Sequence, residues 1–247
     1  MPKFFVENHQ VIEEKTIHIL NEDVKHIKNV LRLKLGDMIQ VCSFETRKNY
    51  LCEIKCIEDD KIECEVKNIL ESEAEPKNKI DVYQALPKQE KMEWILQKGA
   101  ELGMENLIPV VTSRCVVKLD EKDAAKKIAR WQKIVESAAK QSGRDMIPKV
   151  ENLNTLKMVS EKIKEYDVFL LAYENEKTNT LKQELKNLSK EENRIAILIG
   201  PEGGLAEEEV LSLKENGAKV ITLGKRILRT ETASMHMISN ILYELEG

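Results

Sequence analysis

The stretch RIAILIGPEGGLAEEE, Arg194 to Glu209, decides the fold. Ile195–Ile199 is an unbroken apolar run, the pattern of a strand buried on both faces. It ends in a glycine-rich turn, Gly200–Gly204. Ala206–Asn216 then reads as a helix that stops at Gly217. Strand, tight turn and helix form half of a parallel βαβ unit, and the same alternation extends in both directions. IDVYQAL (80–86), NLIPVV (106–111), DVFLLAY (167–173) and AKVITLG (218–224) read as strands. Lys91–Leu102, Asp123–Gln141, Thr155–Glu165, Leu181–Leu188 and Glu231–Leu245 read as helices. Such alternation predicts an α/β domain, a parallel sheet covered by helices, with ligands at the carboxyl ends of its strands.

Before about Leu70 the pattern changes. Lys3–Glu7, Thr16–Leu20, Met38–Phe44, Tyr50–Glu58 and Lys61–Ile69 are short strands, separated by turn signals at Gly36-Asp37, Glu45–Asn49 and Asp59-Asp60. One helix, Glu22 to Leu31, interrupts them. Asn21 is its expected N-cap, and Val24, Ile27, Val30 and Leu31 are its expected apolar stripe. This is the pattern of a small β-barrel-like module. ESEAEPKNK (71–79) is polar, contains Pro76 and reads as a linker. The expected organisation is a first domain over 1–72, a linker over 73–79 and a second domain over 80–247.

The chain has 247 residues, of which 42% are hydrophobic and 33% charged, enough for a sizeable core. A net charge of −4 argues against a generic nucleic-acid binder, so contact with RNA has to rest on local basic patches. No apolar run approaches membrane-spanning length, and MPKFFVENHQ lacks a secretory pattern, so the expected location is cytoplasmic, without a membrane partner. The five cysteines form no CxxC pair. Tyr50, Cys52, Ile54 and Cys56 are expected on one strand face and Ile62, Cys64 and Val66 on the next. They read as core rather than as metal ligands, and no metal is expected.

The chemistry of the glycine turn narrows the ligand. The first α/β strand runs into ALPKQEK without the glycines of a dinucleotide fingerprint, and GxxxxGK[ST] is lacking. The turn contains Glu202, and the next helix opens with Glu207, Glu208 and Glu209, which already complement its amino-terminal field. A phosphate beside Glu202 would meet repulsion. A neutral or cationic ligand held by backbone groups suits the loop better, and S-adenosylmethionine, with no phosphate and a sulfonium, meets that demand. A tight turn without a ligand remains the alternative for Gly203-Gly204. The following strand end, LGKRILRTETA (223–233), adds an aliphatic pair, Ile227-Leu228, between Arg226 and Arg229. The pair suits an adenine slot, and Arg229 suits an anionic or electron-rich substrate.

LIGPEGG followed by LGKRILRTETA resembles the end of the RsmE family of ribosomal RNA methyltransferases, members of the SPOUT superfamily. HIKNVLRLKLGD (26–37), PKQEKMEWILQKGAELG (87–103), SRCVVK (113–118) and WQKIVESAAKQSGRDMIP (131–148) match in order, so the resemblance covers nearly the whole chain. Lys3, Cys115 and Leu205 depart from residues common in the family. The resemblance implies a PUA-like β-barrel followed by a SPOUT domain with a deep trefoil knot, and a homodimer. It implies transfer of a methyl group from S-adenosylmethionine to N3 of a specific uridine in 16S ribosomal RNA of the small subunit. The assembled subunit is the expected partner, with naked RNA as the alternative. A non-catalytic RNA-binding assembly factor, a SPOUT enzyme acting on another RNA and a nucleotide-phosphate enzyme are the rival readings.

On this reading the cofactor residues are Leu171, Tyr173, Gly200, Glu202, Gly203, Leu223, Gly224, Ile227, Leu228, Arg229, Thr230 and Ala233. Arg229 is the expected stabiliser of charge on the uracil oxygens, and Glu202 and Glu231 are the candidate bases. RNA contacts are expected from Lys25, Lys28, Arg32, Lys34, Arg47, Lys88, Lys91 and Arg144. Trp131 is expected to pack, Gly99 to admit a close neighbour and Gly103 to cap a helix.

Overall fold

The structure, a computed structural model, describes residues 1–44, 46–72, 74–189 and 192–247. Glu45, the start of one expected turn, and Glu73, the start of the expected linker, lie outside the described residues. The chain forms two compact units. The first is Met1–Glu75 with Ala139–Ile147, and the second is Pro76–Ala138 with Pro148–Gly247.

The first unit is a six-stranded sheet. Its strands are β1 (Lys3–Val6), β2 (Val11–Ile12), β3 (Thr16–Leu20), β4 (Met38–Ser43), β5 (Asn49–Ile57) and β6 (Lys61–Leu70), in the order β1-β4-β5-β6-β3-β2. β1 and β4 are parallel and the other pairs antiparallel. Alternating residues such as Ile17, Ile19, Ile39, Val41, Ile54 and Ile62 bury a shared core. Cys52 and Cys64 are part of it. Burial pushes both thiols up to about 12, so they stay protonated and act as small hydrophobes. Cys56 does not join them. A register shift between Ile54 and Cys56 turns the strand over there, and Cys56 is half-buried.

The expected Glu22–Leu31 helix is a single α-turn, α1 (Glu22–Lys25), continued by a π-helical turn over His26–Leu31. Val24 and Ile27 are buried, but Val30 and Leu31 are exposed. A π-turn advances more residues per revolution than an α-helix, so the 3.6-residue stripe loses phase after Ile27. Asn21 precedes the helix at φ 61°, but its side chain makes no capping hydrogen bond.

Ala139–Ile147 joins the first unit for a visible reason. The Asp145 carboxylate, 3% exposed, accepts hydrogen bonds from Lys3 Nζ, from Asn49 Nδ2 at 2.9 Å and from Ser72 Oγ at 2.6 Å. The Glu75 carboxylate accepts from the Arg144 guanidinium at 2.6 Å and from the Asp145 and Met146 N–H groups at 2.8 and 3.1 Å. Arg144, expected among the RNA contacts, is therefore 3% exposed and committed to an internal ion pair. Lys3 is likewise held by Asp145.

The second unit is a parallel sheet. Its strands are β7 (Lys79–Ala85), β8 (Asn106–Val111), β9 (Lys149–Val150), β10 (Asn154–Thr155), β11 (Val168–Ala172), β12 (Arg194–Ile199) and β13 (Lys219–Ile221). The order is β10-β8-β7-β12-β11-β13, with β9 also on β8. Its helices are α2 (Lys91–Glu101), α3 (Glu121–Ser142) as far as Ala138, α4 (Leu156–Lys162), α5 (Leu181–Leu185), α6 (Glu207–Glu215) and α7 (Thr230–Glu246). β12 lies between β7 and β11, and Ile195–Leu198 are all fully buried, as the unbroken apolar run demands. Gly103 at φ 95° and Gly217 at φ 113° end α2 and α6 in the left-handed region. A Cβ on Gly99 would sit 2.9 Å from the Met104 sulfur, so the close neighbour there is that thioether. Trp131 is buried on α3.

Candidate functional site

Adjacent strand ends of the second unit build one cavity of about 740 Å³. β12 supplies Ile199–Leu205, β11 supplies Ala172–Glu174 with Lys177, and β13 supplies Thr222–Arg229. Thr230 and Ala233 from the first turns of α7, and Lys91 from the start of α2, complete the lining. This is where an open parallel sheet holds ligands. Every expected cofactor residue lines the cavity except Leu171. Strand alternation turns Leu171 into the hydrophobic core, where it is fully buried, and Ala172 lines the cavity instead. The residue signals alone did not single out Glu174 and Lys177. They follow a strand end without glycine, and only the rule that ligands sit at such ends could have flagged them.

The glycine loop is compact. A Cβ on Gly200 would lie 3.1 Å from the Gly204 carbonyl carbon. Gly204 has φ 67°, and a Cβ there would strike the Glu174 carboxylate. From the end of β8, Arg114 Nη1 donates to the Gly203 carbonyl at 2.9 Å. Across the cavity, the Glu176 carboxylate accepts from the N–H groups of Thr178, Asn179 and Lys177 at 2.8, 3.1 and 2.9 Å. Those bonds hold its pKa down at about 2 and fix the loop after β11.

Of the acidic residues in and after the glycine turn, only Glu202 faces the cavity. Glu207, Glu208 and Glu209 do not line the cavity. Glu209 instead accepts from the Ala206 N–H at 2.9 Å and the Ser113 N–H at 2.7 Å, capping α6 and tying it to the end of β8. Glu202 and Glu174 are the acidic lining residues, facing Lys91, Lys177, Lys225, Arg226 and Arg229. Repulsion of a phosphate therefore rests on Glu202, which does line the cavity, and the helix glutamates take no part in it.

Glu202 is ionised and engaged. It accepts from Lys91 Nζ at 2.9 Å and from the Lys88 N–H at 3.0 Å. Burial pushes its carboxyl up, but the Lys91 ammonium and the backbone donors outweigh that and hold it below the ordinary range. The same bond raises Lys91. Glu231, in the first turn of α7, differs. Its Oε2 is buried without a hydrogen-bond partner, and Lys91 Nζ is 3.7 Å away, beyond hydrogen-bond reach. Arg229 sits at the amino end of α7 with an exposed guanidinium that has no hydrogen-bond or ion-pair partner among the described residues.

Of the other expected RNA contacts, Lys25, Arg32, Lys34 and Arg47 are exposed on the first unit. Lys28 is half-buried and paired with Asp59 at 3.0 Å. Lys88 is exposed on the second unit beside the cavity loop, and Lys91 belongs to the cavity itself. Perturbed titration alone would have pointed elsewhere. At the amino ends of the strands, the Tyr166 hydroxyl donates to Asp81 at 2.8 Å, and burial pushes the Tyr166 phenol up. That cluster is internally satisfied and lines no cavity described above. Among the described residues there is no group of three or more His, Cys, Asp or Glu placed to hold a metal. No helix among them is long and apolar enough to cross a membrane.

Residues 73–242 match the RNA methyltransferase domain family and residues 19–67 the RNA methyltransferase PUA domain family. The chain is 38% identical to ribosomal RNA small subunit methyltransferase E of Bacillus subtilis, over 100% of this chain and 98% of that protein. A crystal structure of ribosomal RNA small subunit methyltransferase E from Neisseria gonorrhoeae, bound to S-adenosylmethionine, superimposes with a TM-score of 0.82 at 32% identity, covering 99% and 98% of the two chains. A methyltransferase of Legionella pneumophila in complex with the same cofactor gives 0.80 at 28% identity, with the same coverage. The chain belongs to the ribosomal RNA small subunit methyltransferase E family, with a PUA-like domain ahead of a SPOUT-type α/β methyltransferase domain.

Proposed function

We propose that the protein transfers a methyl group from S-adenosylmethionine to N3 of a uridine in 16S ribosomal RNA. The observation that carries this reading is the cavity itself. It gathers the Gly200–Leu205 and Thr222–Arg229 loops at adjacent parallel strand ends and holds two arginines, Arg226 and Arg229, whose guanidinium groups have no hydrogen-bond or ion-pair partner among the described residues; Arg229 is the one at the start of α7.

The residues fit the cofactor. Gly200 and Gly204 let the loop close tightly on itself and against Glu174, a turn that a Cβ at either position would crowd. Tyr173, Leu223, Ile227 and Leu228 offer apolar surface for an adenine, and Glu174 and Glu202 offer negative charge to a cation. The bound cofactor supplies the activated methyl group, and the protein supplies position and electrostatics. The N3 proton of uracil has to leave, and the ring oxygens then carry negative charge. Arg229 stabilises that charge. The two candidate bases differ: Glu202 lines the cavity but is held by Lys91 and Lys88, while Glu231 lies outside the lining with a buried Oε2 that has no hydrogen-bond partner, so it can take the proton only if its side chain turns towards the cavity.

In this reading the PUA-like unit, with Lys25, Arg32, Lys34 and Arg47 exposed, contacts RNA backbone, and Lys88 does so beside the cavity. The substrate is the assembled small subunit, and the working form is a homodimer with the knotted SPOUT topology. The test is methyl transfer from labelled cofactor to 30S subunits and to naked 16S RNA, both from cells lacking the modification. The expected product is 3-methyluridine, more of it on subunits. Label in any other nucleoside, or none despite cofactor binding, overturns the reading. Tight binding of a nucleoside triphosphate in place of S-adenosylmethionine would favour a phosphate enzyme.

Gly204→Ala is expected to weaken S-adenosylmethionine binding by about tenfold or more. A left-handed non-glycine residue costs on the order of 1 kcal/mol or more, and the methyl would also strike Glu174. Titration calorimetry against the wild type reads the change. An unchanged dissociation constant would show that the Gly204 turn does not shape the cofactor pocket.

A further inference from the structure

Beneath the cavity lies a closed polar relay made of residues from three elements. Gln84, on β7, is fully buried and lines no part of the cavity. Its Nε2 donates to Thr230 Oγ1 at 2.9 Å and to the Ala85 carbonyl at 3.0 Å. Its Oε1 accepts from Ser234 Oγ at 2.6 Å. The Thr230 hydroxyl, having accepted from Gln84, donates its proton to the Gly200 carbonyl at 2.7 Å. Thr230 and Ser234 are one turn apart at the start of α7, so one amide grips that turn at two points.

Two features make this more than core filling. A buried amide is costly unless its groups are satisfied, and replacing it with an apolar side chain would remove that demand. Here the amide joins the central strand β7 to both walls of the cavity: the glycine loop through Gly200, and the start of α7, next to Arg229 and Glu231. The direction of the chain from Gln84 through Thr230 to Gly200 is also fixed. Thr230 has one proton and spends it on Gly200, so its hydroxyl has none to offer a ligand.

We propose that Gln84 is a positioning residue for methyl transfer: through Thr230 it sets the orientation of the Gly200 carbonyl, and with it the cofactor loop, against the start of α7. This rests on the cavity being the cofactor site, and its test separates the two ideas. Four proteins are compared: wild type, Gln84→Met, Thr230→Val and Thr230→Ser. The first substitution removes the amide at similar length. The second removes only the hydroxyl, and the third keeps it. Amide hydrogen exchange of the 199–205 peptide in the free protein and titration with S-adenosylmethionine are both read.

Faster exchange in that peptide and about tenfold weaker binding are expected for Gln84→Met and for Thr230→Val. Thr230→Ser is expected to restore both towards wild type, and Gln84→Met with Thr230→Val to be little worse than either alone, because they break one relay. Wild-type exchange in the methionine and valine variants overturns the proposal. So does a serine variant as impaired as the valine one, which would make the role one of shape. Should Gln84→Met not fold, the valine and serine pair decides alone. A wild-type protein that binds no S-adenosylmethionine would sink the cofactor reading, while the exchange measurement would still decide whether Gln84 positions the loop.

Discussion

Arg229→Ala is expected to slow methyl transfer by about 10²–10³-fold, the usual cost of removing one donor aimed at developing charge. Arg229 lines the cavity, yet its guanidinium has no partner among the described residues, whereas Arg114 and Arg144 are held by Gly203 and Glu75. An arginine left without a partner beside four other basic lining residues is available for an anion. The anion that the reaction creates is the uracil ring after N3 loses its proton. The loss should therefore fall on the rate of transfer within the bound complex and much less on cofactor affinity. Arg229→Lys should recover part of the rate, since charge remains but the planar fork is lost. Single-turnover transfer to 30S subunits, with cofactor affinity measured separately, checks this. Equal losses in cofactor affinity and in transfer would make Arg229 a cofactor-binding residue instead.

The base assignment adds a second arm to the same experiment. Glu231→Gln removes a carboxylate whose Oε2 has no hydrogen-bond partner, while Glu202→Gln removes one already held by Lys91 and Lys88. If Glu231 accepts the N3 proton, its replacement lowers the rate most at neutral pH, and raising the pH recovers activity as uracil loses its own proton. Glu202→Gln should mainly loosen the loop, because it breaks the tie that fixes Lys91. A pH–rate profile that is unchanged in shape for Glu231→Gln would remove Glu231 from the mechanism.

What was legible in the sequence follows from what local pattern can encode. Ile195–Ile199 announces a central strand because burial on both faces demands an unbroken apolar run, and the structure places it between two parallel neighbours. Gly103 and Gly217 announce helix ends because the chain must adopt positive φ there. Failures arose where a tertiary partner changed a residue's job. Glu209 reads only as a complement to its helix's amino-terminal field, but besides capping that helix it holds the Ser113 N–H. Arg144 reads as an RNA contact, but Glu75 takes it. Val30 and Leu31 fit an α-helical stripe until the π-turn shifts their phase, and Cys56 fits a strand face until the bulge turns it out. Leu171 reads as a cavity residue at the end of its strand, but one residue of phase turns it into the core and Ala172 into the cavity. The two-residue strands β9 and β10 carry too little pattern to be seen at all.

Asp145→Ala is expected to destabilise the first unit by about 3–5 kcal/mol, the cost of breaking a buried ion pair from one side. The carboxylate is 3% exposed and Lys3 14%, so water compensates neither. Removing the carboxylate takes the counter-charge from the Lys3 ammonium, which keeps only the Gly143 and Arg144 carbonyls at 2.8 and 3.4 Å, and leaves Asn49 and Ser72 without their acceptor. The pH dependence carries a sign that tests the ionised state. Burial alone would raise the Asp145 carboxyl, but the Lys3 ammonium and the Ser72 hydroxyl outweigh it and hold the carboxyl below its ordinary value. An unfolded aspartate titrates near about 3.9. The folded state therefore binds this proton less tightly than the unfolded state does. The stabilisation is complete above the unfolded value and is lost as pH falls through it towards the folded one. Urea unfolding of wild type and Asp145→Asn should show a wide gap in midpoint at pH 7 that narrows below about pH 4. Asparagine keeps the shape and removes the charge, so this comparison isolates the ionised state. A gap that stays constant from pH 7 to pH 3 would mean that Asp145 holds Ala139–Ile147 in the first unit by shape and neutral hydrogen bonds, and that its charge contributes nothing.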